Sequence, residues 1–74
     1  MQLEKIEYGM RVKTHKRLGT TQGFFIAQKY LDARRSNKKG TISGWVSGHG
    51  GDVLWVAHED GTTGAYMFNE FSPA

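Results

Sequence analysis

Polar and apolar residues alternate through Tyr8–His15, with Met10, Val12 and Thr14 on one side and Arg11, Lys13 and His15 on the other. That is the period of a half-buried strand. Residues 24–35, FFIAQKYLDARR, do not alternate. At about 100° per residue, Phe24, Ile26, Ala27, Tyr30, Leu31, Ala33 and Arg34 share one half of a helical wheel, while Gln28, Lys29, Asp32 and Arg35 take the other. Phe25 is the main exception, so a short amphipathic helix capped near Thr21 is predicted there. Ser36–Gly40 ends it, with Gly40 available for a left-handed conformation.

The stretch Gly40–Glu59, GTISGWVSGHGGDVLWVAHE, reads as two strands around a glycine-rich turn. With the turn centred on Gly50, Trp45 faces Trp55 across the hairpin, and Thr41, Ser43 and Ser47 face Glu59, Ala57 and Val53. Side chains alternate between the faces of a sheet, so Ile42, Gly44, Val46, Leu54, Val56 and His58 form the core side. The two tryptophans then share the outer side, where the helix is expected to cover them with Phe24, Tyr30 and Leu31, or else a partner does. Asp60-Gly61 supplies the positive φ of a tight turn. A last strand follows over Gly64–Phe68, and Asn69–Phe71 forms a turn or a short closing strand.

Seventy-four residues make one small domain, 1–74, whose core buries only about 60% of the unfolded surface. Without cysteine there is no disulfide or thiolate metal site, a composition that fits a cytoplasmic protein. The longest apolar run, Val53–Ala57, is far short of the ~20 residues that span a bilayer, and no membrane partner is expected. All ten Lys and Arg lie in residues 1–40, against Glu4, Glu7 and Asp32, a balance of +7; residues 41–74 carry −4 through Asp52, Glu59, Asp60 and Glu70. Such asymmetry points to an anionic partner or to two segments that neutralise each other on folding.

Four or five short strands, a long excursion after the first and Asp-Gly in the last hairpin indicate a small barrel. Gly9-Met10-Arg11-Val12, Gly40-Thr41-Ile42-Ser43-Gly44, Val56-Ala57-His58-Glu59-Asp60-Gly61, and Tyr66 with Glu70 resemble the SH3-like barrels of the Tudor, KOW and Mind-bomb types. The resemblance implies a mainly β fold, a small barrel of about five strands with a short helix inserted after the first. It also implies non-catalytic recognition of peptides, modified side chains or nucleic acid. The chain looks as well like small bacterial proteins of unassigned function that share the Gly48-His49-Gly50-Gly51-Asp52 loop. A narrower similarity is to the plasmid-borne type II dihydrofolate reductases, in Gly-x-Arg-Val and the Gly-x-Ile-x-Gly-Trp of residues 40–45. Their pore-lining Val-Gln-Ile-Tyr falls on Thr63-Gly64-Ala65-Tyr66, where only the tyrosine matches, so no catalytic residue is carried over.

The glycine loop lacks the Gly-Lys-Ser/Thr ending of a nucleotide P-loop and opens a strand rather than a helix, so it is read as a hairpin loop. His49 and Asp52 are placed to fix its shape. His15, His49 and His58 lack the spacing of a metal pair, and no nucleophile motif is present. No catalytic residue, metal ligand or cofactor is therefore expected. Lys13, Lys16, Arg17, Arg34, Arg35, Lys38 and Lys39 flank the helix as candidate phosphate contacts, and Trp45, Trp55 and Tyr66, with His49 and Asp52, are candidate ligand contacts. The expected partner is nucleic acid, with a protein or peptide ligand or a homo-oligomer as the alternative.

Overall fold

The computed structural model describes residues 6–19, 26–48 and 51–74. Five antiparallel strands form one sheet in the order β4-β3-β2-β1-β5. They are β1 (Arg11–Thr14), β2 (Lys39–Gly48), β3 (Gly51–His58), β4 (Thr63–Tyr66) and β5 (Phe71–Pro73), with one helix, α1 (Gln28–Asp32), between β1 and β2. The mainly β class expected from the alternation is thus what the chain adopts.

β1 follows its pattern, with Val12 and Thr14 buried and Arg11 and Lys13 exposed. Thr14 can be buried because its hydroxyl donates to the Arg35 carbonyl at 2.6 Å and accepts from the Lys38 N–H at 2.8 Å. That exchange ties β1 to the segment entering β2. α1 is shorter than the periodicity suggests: five residues, begun at Ala27 without a side-chain cap. The expected cap at Thr21 and the expected contact by Phe24 lie outside the described residues. The wheel nevertheless sorts the larger side chains correctly, since Ile26, Tyr30, Leu31, Ala33 and Arg34 are half-buried and Gln28, Lys29, Asp32 and Arg35 exposed; Ala27, at the start of the helix, is exposed. The left-handed residue after the helix is Asn37, at φ 59°, not Gly40. Gly61 has φ 91°, as the Asp-Gly turn demands.

The β2–β3 register corrects the tryptophan pairing. Gly48 pairs with Gly51, so the sum of paired residue numbers at this end is one lower than expected, and Trp45 opposes Leu54 while Trp55 opposes Gly44. A bulge between Ile42 and Gly44 shifts the ladder once more, giving Ile42↔Val56 and Gly40↔His58. One residue of slip exchanges the faces of a strand and two restore them. Beyond the bulge, therefore, Ile42, Val56 and His58 are on the core side as expected. Toward the tip Val46 is turned outward, 43% exposed, and Trp45 packs against the core cluster. The tryptophans lie on opposite faces.

Ile6, Val12, Ile42, Leu54, Val56, Tyr66 and Phe71 form that cluster, which draws on the first residues before β1 and on all five strands. On the other face Tyr30 of α1 meets Trp55, ring centroids 5.0 Å apart, and Ile26 and Leu31 border Val53 and Ala65. The helix cover expected for the indole pair thus serves Trp55 alone.

Candidate functional site

The cationic side chains separate into a buried one and an exposed group. Arg34 belongs to the core: its guanidinium and the Glu70 carboxylate have side-chain exposures of only 8% and 4%. Arg34 Nη1 and Nη2 donate to Glu70 Oε1 and Oε2 at 2.8 and 2.5 Å, and also to the carbonyls of Ala65 and Gly19. A buried guanidinium with both Nη groups engaged in this way is a structural clamp and is not a surface contact.

Lys13 of β1 and Lys39 of β2 are direct cross-strand partners on the outer face, and both are exposed. Lys38 and Arg35 continue the group along the segment before β2, and Lys16 and Arg17 lie exposed in the bend after β1. His15, exposed beside them, contacts the Ser72 hydroxyl at 2.6 Å. Among the described residues the ion pairs are Arg11–Glu59 and Arg34–Glu70, so no carboxylate is in ion-pair contact with Lys13, Lys38 or Lys39. Like charges directly opposite in a ladder destabilise it. Here two lysines hold that position without a paired carboxylate.

Next to this group Arg35, Lys38 and Lys39 face Glu59, Asp60 and His58 across a cleft of about 160 Å³. His58, only 6% exposed, forms its inner wall. The hydrogen bonds there have one consistent direction. The Thr62 hydroxyl donates to Asp60 Oδ1 at 2.6 Å, so His58 Nδ1, at 2.9 Å from that hydroxyl oxygen, is the donor to it. Nε2 is then the acceptor of a neutral imidazole and accepts from the Tyr66 hydroxyl at 2.7 Å, the shorter of two contacts open to that one O–H, since the Arg35 carbonyl lies 3.2 Å from it. That hydroxyl also accepts the Arg35 N–H at 2.7 Å, which couples the cleft wall to β4.

Burial, joined by the charge of Arg35, lowers the His58 pKa below 6.5 despite the opposing pull of Asp60. Burial would raise the Glu70 carboxyl, but the bonds from Arg34, Met67 and Gly19 outweigh it and hold the group below 4.5. In both cases the unfolded chain binds protons first. Stability from His58 is complete above about pH 6.5 and is lost as pH falls from there through the folded pKa; that from Glu70 is complete above about 4.5 and lost below. Thermal melts are expected to hold level from pH 8 to 7, fall between 6.5 and 5, and fall again below 4.5. A midpoint constant from pH 7 to 5 would contradict the neutral, buried His58.

The aromatic candidates are scattered. Tyr66 is 1% exposed, in the core; Trp55 is half-buried under Tyr30; and Trp45 is stacked by Tyr8, centroids 4.7 Å apart and planes 29° from parallel. Asp52 is half-buried and engaged with a partner, and His49 lies outside the described residues. The structure therefore does not bring the aromatic candidates together. It adds three residues that the sequence reading passed over. Tyr8, 69% exposed, had its signal in an isolated aromatic just before the first strand. Glu59 and Asp60 face the cations only because Gly40 pairs with His58, and nothing local announces that.

Among the described residues no group of His, Cys, Asp and Glu could hold a metal ion, and no helix is long and apolar enough to cross a membrane. Set against protein-family models, curated proteins and solved structures, the chain has no match in any of the three.

Proposed function

We propose that this protein is a non-catalytic binding module of the SH3-like barrel type that engages single-stranded nucleic acid through the outer face of β1 and β2. The observation that carries the reading is the Lys13–Lys39 cross-strand pair, in ion-pair contact with no carboxylate of the described residues and extended by Lys38 and Arg35. Lysines held opposite one another at some cost to the ladder gain their compensation from phosphates. The barrel is supported by the strand order, by a single core fed by both outer strands, β4 and β5, and by the long excursion between β1 and β2.

Fluorescence anisotropy with a labelled single-stranded oligonucleotide tests the proposal across a salt series. Binding is expected to weaken with a linear log–log slope, and Lys13→Gln with Lys39→Gln should reduce that slope by about 1.4, at ~0.7 per single-strand phosphate contact. An unaltered slope in the double variant removes this face from the site. A protein or peptide ligand, or a second copy of the chain, is favoured by one other observation: Tyr8, stacked on Trp45, is an aromatic side chain left 69% exposed. A complex anchored there would show little dependence on salt.

A further inference from the structure

The cleft beside the lysine face has a composition that a simple phosphate site would not have. Three cations, Arg35, Lys38 and Lys39, are met by two carboxylates, Glu59 and Asp60. A bare anion would be repelled by the two carboxylates among its surroundings. A ligand suited to both walls must carry N–H donors at one end and acceptors at the other.

The carboxylates are held in place with capacity left over. Glu59 Oε1 accepts from Arg11 at 3.0 Å, and Asp60 Oδ1 accepts from both the N–H and the hydroxyl of Thr62, at 3.0 and 2.6 Å. Their second oxygens take no hydrogen bond from the described residues, and each still has lone pairs. His58 has both ring nitrogens occupied by Thr62 and Tyr66, so it acts as a wall and not as a ligand. The cleft, about 160 Å³ and rimmed by exposed side chains, has room for a planar ring.

We infer that this cleft takes a cytosine base of the bound strand, with its exocyclic amino group on the Glu59 and Asp60 carboxylates and its O2 and N3 acceptors toward Arg35 and the lysines. The inference rests on the nucleic-acid reading and sharpens it to a base preference. Carboxylates accept from the cytosine amino group, whereas thymine and uracil present a carbonyl oxygen at that position and are repelled. Adenine has a similar donor–acceptor order but a C–H where cytosine carries O2, so it leaves the cations one acceptor short.

The test is anisotropy at pH 7.5 and fixed salt with oligothymidylate of about ten nucleotides, and with the same strand carrying two central cytosines or two central adenines. The cytosine strand is expected to bind at least about fivefold tighter than the thymine strand, the lower end of what one good base contact supplies, and tighter than the adenine strand. Glu59→Gln with Asp60→Asn replaces one acceptor of each group by a donor, while the amide introduced at position 60 retains an oxygen for Thr62; the preference should then vanish or turn toward thymine. Circular dichroism follows the fold of the double variant, and Glu59→Gln alone decides the matter if the double variant is unfolded. Equal binding of all strands with a steep salt slope overturns the cytosine site and leaves the nucleic-acid reading standing, as does a preference that survives in the folded variant. Binding to none of the strands overturns both.

Discussion

Replacing Glu70 by alanine is expected to unfold most of the molecules at 25 °C. The carboxylate is the hub of the buried polar interior: Oε1 accepts from Arg34 Nη1 and the Met67 N–H, and Oε2 from Arg34 Nη2 and the Gly19 N–H. It joins the segment after β1, the residues after α1 and the turn between β4 and β5. Removing one partner of a buried pair leaves the other charge uncompensated, at a cost of about 3–5 kcal/mol. A domain of this size rarely has more than about 3–5 kcal/mol to lose. Arg34 would retain the Ala65 and Gly19 carbonyls, but neutral acceptors do not offset a buried guanidinium. Glu70→Gln should be intermediate, since an amide keeps one acceptor while its NH₂ meets an N–H. Urea denaturation followed by tryptophan fluorescence provides the measurement. An alanine variant with the wild-type midpoint would show that the clamp is dispensable.

The second large effect is expected at Gly40, where an added Cβ would lie 2.6 Å from Val56 Cγ1 and 2.7 Å from the Ala57 carbonyl oxygen. A side-chain methyl can turn away, but a ladder carbonyl cannot without breaking the β2–β3 pairing at Thr41↔Ala57. Overpacking ordinarily costs about 1–3 kcal/mol, and the fixed backbone contact places Gly40→Ala at or above the top of that range. The lysine face would suffer with it, because Gly40 lies between Lys39 and the bulge. Ser43→Ala, on an exposed side chain three residues on, is the control and should stay within about 0.5 kcal/mol. Equal melting temperatures for Gly40→Ala and Ser43→Ala would refute the close approach.

These two positions show the difference between what local pattern reveals and what it conceals. Arg34 falls on the apolar half of the helical wheel, the one hint that it points inward. Counted only as a charge, it joins Arg35, Lys38 and Lys39 as a surface contact. Its partner Glu70 lies thirty-six residues away, and no spacing rule connects them. Gly40 likewise resembles a helix stop, whereas its necessity comes from the neighbouring strand.

The sequence by itself determined the elements whose cause is local. The alternation of β1 places Val12 and Thr14 inside, the wheel separates Tyr30 and Leu31 from Gln28 and Lys29, and Asp60-Gly61 closes the β3–β4 turn. Leu54 and Val56 were legible as core from the period of β3 itself, and Ile42 because the two register shifts together restore its expected face. Only the tertiary structure decided the pairing of Gly48 with Gly51 and the bulge, and with them the separation of Trp45 from Trp55. It alone set Lys13 opposite Lys39 and turned Glu59 and Asp60 toward the cations. The physical reason is that side-chain direction along one strand follows from its own period, whereas the residue it meets depends on register, and a single inserted residue in the ladder changes every neighbour beyond it.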